Sequence, residues 1–280
     1  MPKAKLVYIL SLRNAAADKA GQHVDYRGAT RYMKSPLEYL AEALDSTPLG
    51  DEYTLEGIVY DDDPASPRDQ AALADYGFAW APGRPWIFPP ELKAQGRRLR
   101  DLLHPVPSTY RTLPLDAPER PAAKRAYEEA LEDKLLALQA DVVVLDGLLV
   151  ILDALVRPGA RFERRIVNIH PGITRTESPY RRRGAHATLD ALYGARGLQV
   201  ADWSSLRTEP APQVEKTGAS LHYVDTGIDS GEVIFDVLGT DIDPADTILE
   251  LRWNNFHRSL FPALHQGLAL LAPHVRRGAA

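Results

Sequence analysis

The sequence predicts an α/β fold: a mainly parallel central sheet flanked by helices, with an antiparallel strand pair near the C-terminus. Three observations lead there. Short apolar, β-forming runs alternate with stretches of helical period up to about residue 195. The strongest of these runs, Asp141-Val-Val-Val-Leu-Asp146, is almost continuously apolar, as strands covered on both faces are. Two further strand-like segments, 219–224 and 232–238, then follow one another across a turn rich in Gly and Asp.

Taken in order, residues 6–10 (Leu-Val-Tyr-Ile-Leu) form a first buried strand. A helix is predicted over 36–44 because Leu37, Leu40 and Leu44 recur at helical spacing. Ser35 suits its N-cap, and Pro36 its first turn. Residues 55–60 give a second strand that ends in the acidic turn Asp61-Asp62-Asp63-Pro64. Helices are expected at 67–76, at 90–103 within a Pro- and Arg-rich stretch (81–121), and at 122–140. After the strand at 141–146 come a strand at 165–170 and a helix at 185–193 closed by Gly194. A last helix at 246–271 carries Leu249, Phe256, Leu260, Leu264 and Leu268 near one face.

Composition narrows the function. The 280 residues are 45% hydrophobic and 25% charged, so a large core needs no staples. With no cysteine, thiol nucleophiles, zinc fingers and iron–sulfur clusters are excluded. A formal net charge of -5 argues against a nucleic-acid partner. Asp146 and Asp153 interrupt the most apolar run, 142–156, which therefore reads as core and not as a membrane span. The opening Met-Pro-Lys-Ala-Lys has neither the apolar length nor the cleavage site of a signal peptide, so a soluble cytoplasmic protein is expected. There is no GxxxxGK[ST], no GxGxxG after the first strand, no GxSxG and no HExxH. His222 and Asp225 alone do not make a metal site, so no metal is expected. The run Arg181-Arg182-Arg183 is either a solvated basic turn or a holder for an anionic group.

Asn168 and His170 lie two apart on a predicted strand, so their side chains share a face, and Pro171-Gly172 end the strand directly after them. Ligands bind at that carboxyl edge in open α/β sheets. A second polar cluster, 217–231, contains His222, Asp225 and Asp229 among glycines that permit tight turns. An Asn to donate an amide hydrogen, a His to move protons and an Asp to orient it suit acyl transfer. On spacing alone a hydrogen-bonded structural histidine is the commoner outcome.

Four ordered blocks give the pattern a family. Asn168-Ile-His170-Pro171, Arg183-Gly184-Ala185, Thr217-Gly-Ala-Ser-Leu-His222 and Asp229-Ser-Gly231 resemble the 10-formyltetrahydrofolate-dependent formyltransferases, which include glycinamide ribonucleotide transformylase and methionyl-tRNA formyltransferase. The strand and loop at 141–152 are similar too. Within the family the chain is most similar to the N5-hydroxyornithine transformylases of pyoverdine siderophore synthesis. Lys5-Leu-Val-Tyr8, Ser11-Leu-Arg-Asn14, Tyr32-Met-Lys-Ser-Pro-Leu-Glu-Tyr39 and Ser178-Pro-Tyr-Arg-Arg-Arg-Gly184 carry that likeness. The resemblance implies a Rossmann-like formyltransferase fold and a single domain over 1–280. Its parts would be a divergent half (1–140), a catalytic core (141–240) and a C-terminal helix (241–280).

The resemblance also implies the chemistry. An acceptor nitrogen attacks the formyl carbon on N10 of the folate co-substrate, Asn168 donates to the developing oxyanion, His170 shuttles a proton, and Asp229 holds His170 or a bridging water. That carboxylate is expected to bring His170 close to cytosolic pH. The backbone of Leu149, Val150, Ile151 and Leu152, and of Asp225, Thr226, Gly227 and Ile228, would surround the pterin, although 149–152 reads equally as core. Arg13 and Arg175 are candidates for the acceptor carboxylate. His222 is either a supporting partner or a satisfied buried histidine. The partners implied are the folate, a hydroxylated amino acid and siderophore-pathway enzymes, without nucleic acid, membrane or metal.

Two departures bear on the acceptor. The family's His-x-Ser-Leu-Leu-Pro becomes His170-Pro-Gly-Ile-Thr-Arg175, and the stretch to Gly184 is longer than in the methionyl-tRNA enzymes. No glycine-rich phosphate loop follows the first strand, and no basic tRNA-binding domain follows the last. Both absences favour a small amino-acid acceptor. The rival readings are transfer to another small amine such as an amino sugar, hydrolysis of the formylfolate, and a folate-binding protein without catalysis.

Overall fold

In the computed structural model, which describes residues 2–75, 87–89 and 91–278, seven strands form one sheet. They are β1 (Ala4–Leu10), β2 (Tyr53–Tyr60), β3 (Leu103–Pro105), β4 (Val142–Asp146), β5 (Ile166–His170), β6 (Lys216–Tyr223) and β7 (Val233–Asp241). Their spatial order is β7-β6-β5-β4-β1-β2-β3. Strands β1 to β5 run parallel, and β6 is antiparallel to both β5 and β7. The expected mixed α/β sheet is therefore present.

The main helices are α1 (Leu12–Ala17), α2 (Pro36–Ser46), α3 (Pro67–Asp75), α4 (Arg120–Ala137), α5 (Ala187–Ala195), α6 (Ile248–Asn255) and α7 (Phe261–Gly278). Strand β1 shows why its sequence is apolar throughout. Leu6, Tyr8 and Leu10 pack in one core with Leu37 and Leu40 of α2 and Leu264 and Leu268 of α7. Val7 and Ile9 face the opposite core, against Leu131 and Leu135 of α4. No helix among the described residues is long and apolar enough to cross a membrane.

The topology places the site. From β1 the chain builds outward to β2 and β3, then returns to start β4 on the other flank of β1. The loops after β1 and β4 consequently diverge, opening a crevice at the carboxyl ends of the strands. The sheet belongs to no single half: β1–β3 come from the first 140 residues and β4–β7 from the next hundred or so.

Some expectations need correction. The helix expected at 90–103 is a short strand pair, Lys93–Ala94 with Arg97–Arg98, followed by the 3-10 turn Leu99–Leu102 and β3. Gln95 and Gly96 between the paired strands both have positive φ (53° and 80°), which a helix cannot contain. The leucines at 92, 99 and 102 imitate helical spacing without forming a helix. Gly194 does not close α5, which continues to Ala195. The single last helix is instead α6 and α7 joined by a π-helical turn, Phe256–Leu260. Helix α1 and the hairpins His23–Tyr26/Ala29–Tyr32 and Leu198–Asp202/Arg207–Pro210 were not anticipated. Tyr76, Pro90 and the 81–86 portion of the Pro- and Arg-rich stretch lie outside the described residues.

Candidate active site

The period of two along β5 sets Asn168 and His170 on the face begun by Ile166, just where the core ends. The antiparallel register then places His222 of β6 directly opposite Asn168, and Ser220 opposite His170. The loop after β6 returns Asp229 to this pair with φ at 46°, a left-handed conformation that is costly for a non-glycine residue and tolerated best by Asn and Asp.

The side chains converge on the Asp229 carboxylate. Asn168 Nδ2 donates to Asp229 Oδ1 (3.1 Å) and lies 3.3 Å from His222 Nε2. A carboxylate only accepts, which fixes the orientation of the amide. His170 Nδ1 is 3.4 Å from Asp229 Oδ2, His222 Nε2 is 3.4 Å from Oδ1, and the Gly184 amide donates to Oδ2 at 2.8 Å. Burial alone would raise the Asp229 pKa. The hydrogen bond with His222, the charge of His170 and the Gly184 amide outweigh burial and hold the carboxyl well below its ordinary range.

The far side of each histidine is also fixed. His170 Nε2 lies 2.9 Å from the Arg182 carbonyl, and His222 Nδ1 lies 2.8 Å from the Tyr223 carbonyl. A carbonyl only accepts, so both of these nitrogens carry their protons. In neutral His170 the lone pair is then on Nδ1, the nitrogen facing Asp229. Gly172 lets the Arg182 carbonyl come this close: a Cβ at 172 would stand 2.6 Å from that oxygen. Burial pushes His170 below the ordinary imidazole range, and His222 and Arg183 add to it against the pull of Asp229. The expectation that a carboxylate would bring His170 close to cytosolic pH is thus corrected, because desolvation wins.

These residues form one wall of a cavity of about 520 Å³ at the carboxyl ends of β1, β4 and β5, a volume in the range of small-molecule sites. Leu149, Val150 and Ile151 line it, as do Asp225, Gly227 and Ile228. Leu149 and Ile228 are exposed for apolar residues, at 63% and 64%. Asp225 is committed within its own loop, accepting from the Gly227 amide (3.0 Å) and Ser230 Oγ (2.7 Å). Leu152 is fully buried in the core beside Leu155, and Thr226 is exposed; neither lines the cavity.

The two arginines offered for the acceptor carboxylate are elsewhere. Arg13 is ion-paired with Asp61 (3.3 Å), Asp62 and Asp69 (2.9 Å). Arg175 is paired with Asp236 (2.8 Å) and Glu177 (3.7 Å). Neither lines the cavity. In the basic run Arg181 is exposed, as in a solvated turn, while Arg182 supplies its carbonyl to His170 and Arg183 donates to the Thr174 carbonyl at 2.9 and 2.6 Å. Sequence reasoning missed Asn14, Asp18 and Arg252, which line the cavity from α1, the residue after it, and α6. Among the described residues no group of three or more His, Cys, Asp or Glu side chains could hold a metal ion.

Comparison with known proteins agrees with this architecture. The Formyl transferase family profile matches residues 93–255, more than half of the chain. Among solved structures the chain is similar to PvdF of pyoverdin biosynthesis, described as a structurally unique N10-formyltetrahydrofolate-dependent formyltransferase. The two are 63% identical with a TM-score of 0.90, over 97% of this chain and 99% of that one. Glycinamide ribonucleotide transformylase 1 from Symbiobacterium toebii (16% identity, TM-score 0.55, 97% of this chain and 89% of that one) shares the fold. So does phosphoribosylglycinamide formyltransferase from Brucella melitensis (17%, 0.53, 98% and 96%). No curated protein sequence matches. A family profile over most of the site-bearing sheet, and near-full-length identity to PvdF, establish that the chain belongs to the formyl transferase family.

Proposed function

We propose that the chain transfers the formyl group of 10-formyltetrahydrofolate to the side-chain hydroxylamine nitrogen of N5-hydroxyornithine. The product is N5-formyl-N5-hydroxyornithine, a hydroxamate for siderophore (pyoverdine) synthesis. The observation that carries this is the convergence of Asn168, His170 and Asp229 on one cavity wall, in a chain 63% identical to PvdF. The reading takes 1–280 as one formyltransferase domain, supported by the shared sheet.

Each residue has a chemical task. His170 lines the cavity, and its unprotonated Nδ1 takes the proton from the attacking nitrogen and returns it to the departing one. The charge this puts on the imidazole is met by Asp229, already ionised and 3.4 Å away. Asn168 Nδ2 donates to the formyl oxygen as negative charge gathers there, a contact worth about 3–4 kcal/mol. Its longer approach, 3.3 Å to His222, is the one given up. A flat pterin would cover the exposed apolar side chains of Leu149 and Ile228 while bonding to the backbone of the two loops.

A low-pKa base suits an acceptor that arrives unprotonated. An alkyl ammonium titrates near about 10.4 in the lysine case, whereas a hydroxylamine is largely neutral at cytosolic pH. The start of α1 supports an acceptor without phosphate. Its Leu12 and Arg13 amides already donate to Asp62 (2.6 and 3.2 Å), so the donors an anion would use are occupied.

The test is folate release from 10-formyltetrahydrofolate with N5-hydroxyornithine, with ornithine, and without acceptor. Turnover with the hydroxylated amine alone is the expected result. Equal turnover without acceptor would make the chain a hydrolase, and no turnover in any mixture would remove hydroxyornithine as the acceptor.

A further inference from the structure

The cavity has a second charged wall that the formyl-transfer chemistry does not use. Arg252 of α6 and Asp18, just after α1, both line it and form an ion pair at 2.7 Å. Arg252 is the only Arg or Lys among the described lining residues. Its Nη1 makes the contact to Asp18 and a long one to the Ala17 carbonyl (3.4 Å). Nε and Nη2 have no acceptor among the described residues. Asp18 is 28% exposed, and Oδ2 is not used by Arg252.

We infer that the Asp18–Arg252 pair holds the α-amino-acid end of the acceptor, Arg252 taking the α-carboxylate and Asp18 the α-ammonium. This rests on the reading above, that the acceptor is a free amino acid with a hydroxylamine side chain. Such a molecule brings two opposite charges into a half-buried cavity, and each needs a partner to offset its lost hydration. The other charged lining groups are engaged: Asp225 within its own loop, and Asp229 with the histidines. A guanidinium with two unused nitrogens presents the planar fork that a carboxylate fits.

The local charge balance points the same way. Burial raises the pKa of Asp18 in spite of Arg252. Burial also pushes Asp146, at the end of β4, up to about 7, against a hydrogen bond from Tyr8 (2.8 Å) and with the charge of Asp18 adding to the rise. Asp18 thus faces a second carboxyl group, Asp146, besides its one guanidinium partner, and an ammonium beside it would offset that repulsion.

The pair is also preorganised relative to His170. Helix α6 starts in a capping box between Thr247 and Glu250. Asn255, three residues beyond Arg252, donates to the carbonyl of Pro171 (3.2 Å), the neighbour of His170. Trp253 Nε1 donates to the Tyr32 carbonyl at 3.1 Å. The head-group wall and the reacting wall are therefore tied through the backbone at the end of β5.

The experiment compares kcat/KM for N5-hydroxyornithine with that for N-hydroxy-1,4-diaminobutane, which keeps the hydroxylamine and the second amine but has no carboxylate. Wild-type protein should prefer the amino acid by about 10–10²-fold, the worth of a charged hydrogen-bonded contact. Arg252→Gln should collapse that ratio to a few-fold, mainly through KM, and Arg252→Lys should restore part of it. An Arg252→Gln ratio equal to wild type, with hydroxyornithine still formylated, would make the pair a brace between α1 and α6 and overturn the inference alone. Calorimetric titration with ornithine separates the remaining case. A wild-type protein that formylates neither amine yet binds ornithine with an affinity lowered by Arg252→Gln loses the hydroxylamine acceptor and keeps the head-group site. Binding of no α-amino acid overturns both.

Discussion

Two buried polar clusters sit at the carboxyl ends of parallel strands, and they are built on opposite plans. At the end of β2, Asp61, Asp62 and Asp69 surround Arg13 and Arg111: Arg111 reaches Asp61 (3.3 Å) and Asp69 (3.2 Å), Ser108 Oγ donates to Asp61 (2.6 Å), and Asp62 caps α1. Every charge there ends on another part of the chain. At the end of β5 a single carboxylate, Asp229, faces two histidines and an asparagine beside an open cavity. The carboxylates respond differently. Burial among like charges pushes Asp62 up to about 6, despite Arg13 and the α1 amides. At Asp229 the hydrogen-bond donors overcome burial, and the carboxyl stays ionised. A closed cluster fastens the fold; a cluster with a titratable base left toward a cavity can do chemistry.

The contrast is broken most directly at His170. Replacing it with alanine should lower folate release by about 10²–10⁴-fold, the span of a general acid–base group, with folate affinity by fluorescence titration little changed. Turnover within a few-fold of wild type would take His170 out of the reaction and make the β5 cluster as structural as the β2 cluster.

Asp229→Asn sharpens the comparison at its carboxylate. The variant should lose about 10–10²-fold at the pH plateau, and the sign of its pH effect is fixed. Asp229 favours the charged imidazole, opposing the burial that lowers His170. Without that charge the His170 pKa falls further, so the acidic limb of kcat/KM moves to lower pH. An unmoved limb would leave Asp229 to position Asn168 and the Gly184 amide only.

How much of this was legible follows from where the information lies. The period of a strand puts Asn168 and His170 on one face, and motif blocks at compatible spacing add Asp229. Side-chain identity says nothing about the Arg182 carbonyl, which sets the tautomer of His170 from an arginine that sequence reading could regard only as a cation. The place of His222 depends on the β5–β6 register. Arg252 and Asp18 are brought together because α6 packs on β6, β7 and the 23–26 strand that follows α1, a tertiary fact without a local signal. Arg13 shows the reverse error. Its position after β1 invites a ligand role, but three aspartates, two of them adjacent in the acidic turn, had already claimed it.

The smallest effect separates the two carboxylates by stability. A folded-state pKa of about 6 for Asp62, against about 3.9 unfolded, means that the folded protein binds more protons between those values. The Asp62 contribution therefore falls as pH rises from about 4 to about 6, by on the order of 1–3 kcal/mol. Asp229, depressed when folded, contributes stability that is present above about pH 4 and lost only in stronger acid. Urea unfolding of wild type and Asp62→Asn across pH 4–7 isolates the first term, because asparagine has the shape of the protonated acid and keeps an oxygen for the α1 amides. The wild-type curve should descend relative to the variant over that window. A rising difference would mean that Arg13 and the Leu12 and Arg13 amides outweigh burial. Asp62 would then be held ionised as Asp229 is, and only the open cavity would still distinguish the two clusters.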